Sequence, residues 1–455
     1  MNRLSPDPAA SRPRGGTQAI RDQVAVATAE SLNHDGRGVA RVHGKVTFIE
    51  GALPGEEVRF RYRERRKTYD SGTALEILKP SADRVPPACP HFGVCGGCSL
   101  QHLRSEAQIR AKQQVLAENL ARIGRVTPEQ WLAPLTGPAW HYRRRARLGV
   151  RFVPNKGGAL VGFREKHRSF IAPLGSCAVL AEKVSGLLPA LKELVGALSC
   201  PDRIPQIEVA AADNATAFVL RHLVPLTEED LQKLCLFGSR YDVQMHVQGG
   251  GPETVRPLWP ESPEPLYYRI PEYDLRLEFG PSDFIQINGA MNNKMVHQAI
   301  ALLDLKPGDR TLDLFCGLGN FTLPLARKAA RVLGIEADTA LIDTARRNAA
   351  LNGLANVEFR TADLYAETAA AAPWQDFRFD SLLLDPPRSG ALEAMRRLAE
   401  PLPERIVYVS CDPATLARDS GYLVNTRAYR LAAAGVMDMF PHTSHVESMA
   451  VFTRL

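Results

Sequence analysis

The sequence predicts an α/β protein in which residues 271–455 form a doubly wound parallel sheet, preceded by a small all-β barrel and a central α+β region. Three observations carry this reading. After residue 270, short apolar runs (RTLDLF, RVLGIE, VEFRTAD, SLLLDPP, RIVYVSCDP) alternate with helical ones such as DTALIDTARRNAALNGL, the pattern of buried parallel strands joined by crossover helices. From Val24 to Leu78 short alternating runs are broken by Gly36, Gly38, Gly44 and the Pro54-Gly55 turn, as in a small closed sheet. Between these regions, strand-like alternation mixes with helical periodicity.

Taken in order, residues 1–18 are rich in Pro, Gly, Ser and Arg without a hydrophobic period and are expected to be a disordered tail. Residues 19–80 hold the expected barrel, built from VAVATAE, GVARV, KVTFIE, EVRFRYRE and TALEIL. Residues 81–270 make the central domain. It opens on a cysteine-bearing loop and continues into an amphipathic helix near 104–124, where Ile109, Val115, Leu116, Leu120 and Ile123 recur at helical spacing. A turn at Pro154 to Gly158 then joins RARLGVRFV to ALVGFRE as a hairpin. At the other end, Arg430–Met439 and Val446–Thr453 follow one another with no helix between, which predicts a closing antiparallel hairpin.

Lys plus Arg exceed Asp plus Glu by 56 to 50, a net charge of +6 that permits a polyanionic partner without requiring one. No stretch approaches the roughly 18 uncharged apolar residues of a spanning helix, so a cytoplasmic protein without a membrane partner is expected. Eight cysteines in 455 residues are too sparse for a disulfide scaffold, and their spacing is read as metal or catalytic chemistry.

In an open α/β sheet the ligand sits beyond the carboxyl ends of the strands. The first strand-to-helix loop is Phe315-Cys316-Gly317-Leu318-Gly319-Asn320, where the glycines let the backbone pass close to a ligand. The second strand ends in Glu336, placed to accept from ribose hydroxyls, and the third in Asp363, placed to accept from an adenine amino group. A nicotinamide dinucleotide is the alternative, but the third glycine of its G-x-G-x-x-G loop is replaced by Thr322, which favours a methyl donor. The fourth strand runs into Asp385-Pro386-Pro387-Arg388 and the fifth into Ser410-Cys411-Asp412-Pro413, on the same rim. Cys411 precedes a helix with Asp412 as cap candidate and Pro413 in its first turn, a setting expected to favour a thiolate. A buried structural cysteine is the plain alternative.

At these residues a resemblance becomes specific. LDLFCGLGNF, LLLDPPRSG, YVSCDPATLARD, HVESMAVF and FIQIN at Phe284–Asn288 closely resemble the motifs of the RNA uracil-C5 methyltransferases, which use S-adenosylmethionine on a Rossmann-like domain. The resemblance implies Cys411 as nucleophile and Glu447 as base, with Gln286, Phe315, Asn320, Glu336, Asp363 and Asp385 lining the cofactor and base pocket. Asp385 is also expected to read the uracil imide. C5 of uracil is too weak a nucleophile to attack a methyl sulfonium unaided. A thiolate adding at C6 activates it, and a base must then remove the C5 proton. His442 and His445 are rival bases and Cys316 a rival thiol; Cys200 and Cys235 are expected to be packing residues.

Cys89, Cys95 and Cys98 form C-x5-C-x2-C among Gly93, Gly96 and Gly97. A triplet plus one distant cysteine suits a [4Fe-4S] cluster better than zinc, which usually takes two C-x2-C pairs. The resemblance implies Cys177, in PLGSC, as the fourth ligand. GRGVARV and FIEGALPGE make residues 19–80 resemble a TRAM domain, an OB-like RNA-binding barrel. Arg59, Arg61, Arg63, Arg65, Arg66 and Lys67 interleave with Phe60, Tyr62 and Tyr69, a composition expected to stack and pair with single-stranded RNA, and Tyr142 to Arg147 is a second basic run. TRAM barrels and iron-sulfur clusters also meet in radical methylthiotransferases, but those need a C-x3-C-x2-C triplet. Barrel, cluster and uracil motifs together resemble the large-subunit (23S) ribosomal RNA branch of the family, acting as a monomer on a flipped-out uridine. Transfer RNA as substrate and a noncatalytic RNA-binding protein are the alternatives.

Overall fold

The structure is a computed structural model that describes residues 23–366 and 372–455; the expected tail at 1–18 lies outside them. The chain divides into two compact units, one of residues 1–86 and 102–107, the other of 87–101 and 108–455.

The first unit is a barrel of five strands: β1 (Val24–Leu32), β2 (Gly38–Val42), β3 (Lys45–Glu50), β4 (Glu57–Arg65) and β5 (Tyr69–Lys79), closed in the order β1-β2-β3-β5-β4. Alternate residues point inward, so Ala29, Ala40, Ile49, Val58, Phe60 and Tyr62 make its core. Closure leaves no free strand edge. Gly72 is required where β5 crosses Phe60, since a Cβ there would lie 2.5 Å from the ring. The barrel's turn is pinned by Glu56, which is fully buried and accepts from Arg84 Nε (2.6 Å) and Nη2 (2.7 Å), Leu53 N (2.8 Å) and Ser81 N (3.1 Å).

Helix α1 (Ser105–Asn119), which belongs to the second unit from Gln108 on, ends in a π-helical turn at Leu120–Gly124. Ile109, Leu116 and Leu120 of the expected apolar stripe are buried, but Ile123 is 49% exposed. The wider π turn rotates residues beyond Leu120 off the helix face. The central sheet holds β7 (Arg145–Val153), β8 (Gly158–Gly162), β9 (Gln206–Ala211), β10 (Thr216–Arg221), β11 (Gln244–Gln248) and β12 (Val255–Trp259) in the order β12-β11-β10-β9-β7-β8. Helices α2 (Glu182–Gly196) and α3 (Glu228–Tyr241) share its core. The β7–β8 hairpin turns at Pro154–Lys156, as the sequence indicates.

A short ribbon, β13 (Leu266–Ile270) and β14 (Leu275–Phe279), leads through α4 (Gly289–Leu303) into an eight-stranded sheet. Its members are β15 (Arg310–Leu314), β16 (Arg331–Glu336), β17 (Val357–Thr361), β18 (Ser381–Leu384), β19 (Arg405–Ser410), β20 (Tyr429–Met437) and β21 (Glu447–Arg454), with β6 (Gln130–Trp131) on one edge. The order is β17-β16-β15-β18-β19-β21-β20-β6. All of β15 to β19 run parallel, and β21 is antiparallel to both neighbours, the closing hairpin the sequence predicts. The unbroken apolar runs are explained by two covered faces. Leu312, Leu314, Leu333, Ile335, Leu382 and Leu384 enter one core, while Val332, Leu383, Val407 and Val409 enter the other. Chain order reverses between β15 and β18, which opens a crevice at their carboxyl ends.

Among the described residues no helix is long and apolar enough to cross a membrane. Burial works against ionisation of Glu56, but its bonds from Arg84, Ser81 and Leu53 outweigh this and hold the carboxyl below its ordinary 4.5. Its stabilisation is therefore complete above that value and is lost as pH falls through the depressed one. A Glu56→Gln variant should lose about 3 kcal/mol at pH 7 and show a weaker acid dependence below about pH 4.5, read by denaturant melts across pH.

Candidate active site

The loop after β15 turns on strained backbone. Phe315 sits at φ 66°, in the left-handed region that a bulky residue rarely adopts, with Gly317 at 53° and Gly319 at 98°. Its turn is held by Glu336 at the end of β16, whose Oε2 accepts from Gly317 N at 3.2 Å and whose Oε1 accepts from Ala337 N at 2.7 Å. Beneath it, Asp313 is fully buried and accepts from Thr322 Oγ1 at 2.5 Å. Burial, opposed by the Thr322 bond and reinforced by Glu336, pushes its carboxyl up to about 7. Thr322, which breaks the dinucleotide glycine pattern, thus fastens the loop to the strand.

Asn320 is clamped from two sides. Its side chain exchanges paired amide hydrogen bonds with Asn292 at 2.9 Å each, and its Oδ1 accepts from the Tyr268 hydroxyl at 2.9 Å. Asp363, exposed after β17, accepts from Tyr365 N at 2.8 Å. Gln286 is partly buried in the segment before α4, its carbonyl accepting from Arg144 Nε at 3.0 Å. Cys316 is buried, and its thiol is pushed well above its ordinary range by that burial and by Asp313 and Glu336, which suits packing rather than attack.

Beyond β19, the Ser410-Cys411-Asp412 turn enters α5 (Pro413–Thr426). Asp412 caps this helix, accepting from Ala414 N at 2.9 Å and Thr415 N at 3.1 Å. Asp419, one turn further, ties the two rim motifs together by accepting from Ala391 N and the Tyr408 hydroxyl, each at 2.8 Å. On the other side of β19, β21 pairs antiparallel with Ser410 opposite Ser448. Glu447, the first residue of β21, lies within electrostatic reach of Cys411 just beyond that last pair. Glu447 is buried, and His445 Nε2 lies 3.1 Å from its Oε1, with His445 Nδ1 3.4 Å from Arg388 Nη2.

The expected thiolate at Cys411 is not what this environment favours. Burial, then the charges of Glu447 and Asp385, push the thiol up to about 12, against a smaller opposing pull from Arg388. Helix capping and both carboxylates were legible in the sequence; their combined effect on the sulfur was not. Both are themselves driven toward the neutral form, Asp385 well above the carboxylate range by burial, Glu447 and Asp313, and Glu447 upward by burial despite His445, Lys112 and Arg388.

His442 does not belong to this group. It is buried, stacks on Trp140 with ring centroids 3.7 Å apart, and its burial lowers its proton affinity to about 4, so it is neutral at physiological pH. Cys89, Cys95, Cys98 and Cys177 line one small cavity with Phe92, Phe163, Leu174 and Val179, and all four are free thiols. Among the described residues no group of three or more His, Cys, Asp or Glu is arranged to hold a metal ion.

Both basic runs differ from expectation. Phe60 and Tyr62 point into the barrel core, because strand alternation puts the arginines outside and the rings inside, so these rings offer no stacking surface. Several of the arginines are paired with carboxylates, among them Arg59 with Glu76 at 2.6 Å and Arg63 with Glu50 at 3.0 Å. In the second run, Arg144 lies over the Tyr268 ring at 4.8 Å and Arg145 pairs with Glu208 at 3.3 Å, both largely buried. Arg144 thereby holds the Gln286 segment instead of facing solvent. Missed altogether was Lys112, whose signal was a lone cation between Ile109 and Leu116 on the apolar face of α1.

Because Glu447 raises the proton affinity of Cys411, a Glu447→Gln variant should alkylate faster at Cys411 by about three- to tenfold at pH 9. Mass spectrometry of the Cys411 peptide after a timed iodoacetamide pulse measures this. An unchanged rate would mean that the two groups are not electrostatically coupled.

Comparison with known proteins agrees with this geometry. Residues 267–455 match the tRNA (Uracil-5-)-methyltransferase family and residues 23–69 the TRAM domain. The chain is 52% identical to the 23S rRNA (uracil(1939)-C(5))-methyltransferase RlmD of Acidithiobacillus ferrooxidans, over 98% of this chain and 100% of that one. It is 54% identical to the RlmD of Nitrosococcus oceani, over 94% and 95%. Its fold is that of Pyrococcus abyssi tRNA (uracil-54, C5)-methyltransferase, solved with S-adenosyl-L-homocysteine, at TM-score 0.73 and 24% identity, covering 94% of this chain and 99% of that one. The chain belongs to the S-adenosylmethionine-dependent RNA uracil-C5 methyltransferase family, alongside the 23S rRNA enzymes.

Proposed function

We propose that this protein methylates C5 of a 23S ribosomal RNA uridine equivalent to the one its relatives modify, with Cys411 as nucleophile and Glu447 as base. The observation that supports this above all is the β19–β21 pairing, which ends at Ser410 opposite Ser448 and leaves Glu447 within electrostatic reach of Cys411. Ribosomal rather than transfer RNA is favoured by the relatives that match over the whole chain, barrel and cysteine loop included.

A uridine flipped out of its strand enters the crevice. Asp385, held toward its neutral form, offers an acceptor and a donor together and can meet the N3–H and a carbonyl of uracil. Cys411, partly exposed, gives its thiol proton to solvent and adds to C6 as a thiolate; the C5–C6 double bond opens and its electron pair passes to C5 and the adjoining carbonyl. Arg388 is the cation on hand to favour the thiolate. S-adenosylmethionine, when bound, supplies the electrophilic methyl group. Gln286, Phe315, Asn320, Glu336 and Asp363 would hold it, around a loop whose strained backbone leaves the approach open. Glu447 then takes the C5 proton, the double bond re-forms and the thiolate leaves.

Four cysteines from two separate segments around one apolar cavity suit a [4Fe-4S] cluster. A cube of iron and sulfide stands between its ligands, so its thiols need not converge as closely as around a single ion.

RNA carrying 5-fluorouridine at the target should form a stable covalent complex with the wild type, since fluorine blocks the elimination, and none with Cys411→Ala. Trapping by that variant assigns the nucleophile elsewhere. With ordinary RNA, Glu447→Gln should instead accumulate a methylated adduct, visible on denaturing gels. Anaerobically purified protein should contain about four iron and four sulfide per chain. Full content after Cys177→Ser would remove that cysteine from the ligand set.

A further inference from the structure

The loop from Asp438 to Ser444 joins β20 to the strand that carries Glu447, yet its partners lie outside the methyl-transfer sheet. His442 N donates to Gln108 Oε1 at 2.8 Å, and His442 O accepts from the amides of Ser99 (3.0 Å) and Leu100 (2.9 Å). Ser444 N donates to Ser99 Oγ at 2.9 Å, and the Tyr142 hydroxyl to Pro441 O at 3.0 Å. Lys112 reaches further, its Nζ donating to Asp438 Oδ1 at 2.7 Å and to Phe440 O at 3.0 Å. Lys112 is 2% exposed and Gln108 1%.

A buried ammonium is costly even when paired, and at a helix position between Ile109 and Leu116 an aliphatic side chain would pack at lower cost. Instead that face of α1 presents a charge and an amide, both directed at the one loop that ends on Glu447. Structural need alone explains a loop anchor; it does not explain a cation placed within electrostatic reach of the base.

We propose that Gln108 and Lys112 are positioning residues for Glu447, fixing the Asp438–Ser444 loop so that the carboxylate meets the C5 proton after methyl transfer. The inference rests on Glu447 being the base. The groups that face Glu447 are His445 beside it, Lys112 from α1, Arg388 and Asp385 from the loop after β18, and Cys411 from the end of β19. His445, Lys112 and Arg388 favour the carboxylate; Asp385 and Cys411, when ionised, oppose it. Loss of the Lys112 charge therefore raises the proton affinity of Glu447, and the acid limb of product release moves to higher pH.

The test is single-turnover methylation of a 23S rRNA transcript by the full-length protein, with adduct and released methylated RNA separated on denaturing gels. Variants are Gln108→Leu, the pair Lys112→Met with Asp438→Asn, which leaves no buried charge unpaired, and Glu447→Gln as reference. Adduct formation should stay within about threefold of wild type while release slows at least about tenfold, so that methylated adduct accumulates. For the paired variant, the acid limb of the release rate should move to higher pH. Release at the wild-type rate overturns the proposal, as does an equal loss in both steps. Gln108→Leu, which moves no charge, decides the matter on the same release criterion if the paired variant does not fold. Free release by Glu447→Gln itself overturns the base assignment; adduct accumulation there with normal release from the other variants overturns only the positioning role.

Discussion

Antiparallel pairing of β21 between β19 and β20 is the constraint on which the arrangement of the site depends. Side chains along a strand alternate between faces, so a slip of one residue would turn Glu447 away from Cys411 and offer Val446 or Ser448 in its place. What prevents the slip is not at the site. Met449 and Val451 of the same strand enter one hydrophobic core, Ala450 and Phe452 the other, and a one-residue shift would exchange all four. The relation between thiol and carboxylate is therefore enforced by aliphatic packing along the whole strand, with hydrogen bonds on both edges.

Electrostatically, the crevice concentrates acids where water is scarce. Asp313, Asp385 and Glu447 are all driven toward their neutral forms, and the Cys411 thiol likewise. Two cations, Arg388 on an exposed loop and Lys112 on a buried helix face, offset Glu447, and Arg388 also offsets Cys411. A pocket that resists further negative charge suits a neutral, planar nucleobase and disfavours a phosphate. The nucleotide's backbone must then be held elsewhere, which is a physical reason for extracting a base before reacting with it.

Much of this was legible in the residues. Apolar runs with no alternation announced strands covered on both faces, and Asp412 followed by Pro413 announced a helix start that the structure confirms. Failures came where a one-dimensional pattern had to stand for three-dimensional neighbours. Phe60 and Tyr62 read as stacking rings because they alternate with arginines, yet that same alternation sends them into the barrel. Arg144 and Arg145 read as surface charge but are consumed by Tyr268 and Glu208, which lie far away in the chain. Cys411 read as an acidified thiol because a helix terminus is a local feature, whereas the carboxylates that reverse the effect arrive from β18 and β21.

The cysteine loop and α1 acquire a physical rationale from the backbone of the closing loop. Between Asp438 and Ser444 the chain leaves the sheet, and its buried amide and carbonyl groups must find partners. The sheet offers none at that point; Ser99, Leu100, Gln108, Lys112 and Tyr142 do. Ser99 immediately follows Cys98, so the proposed metal cluster, if held by Cys89, Cys95 and Cys98, would also fix the partner of Ser444, three residues before Glu447. An addition to the methyl-transfer fold thus reaches Glu447, the proposed base, through a handful of short contacts. Placement of the cysteine centre and placement of the base then become a single mechanical problem, which is a reason for both to reside in one compact unit of the chain.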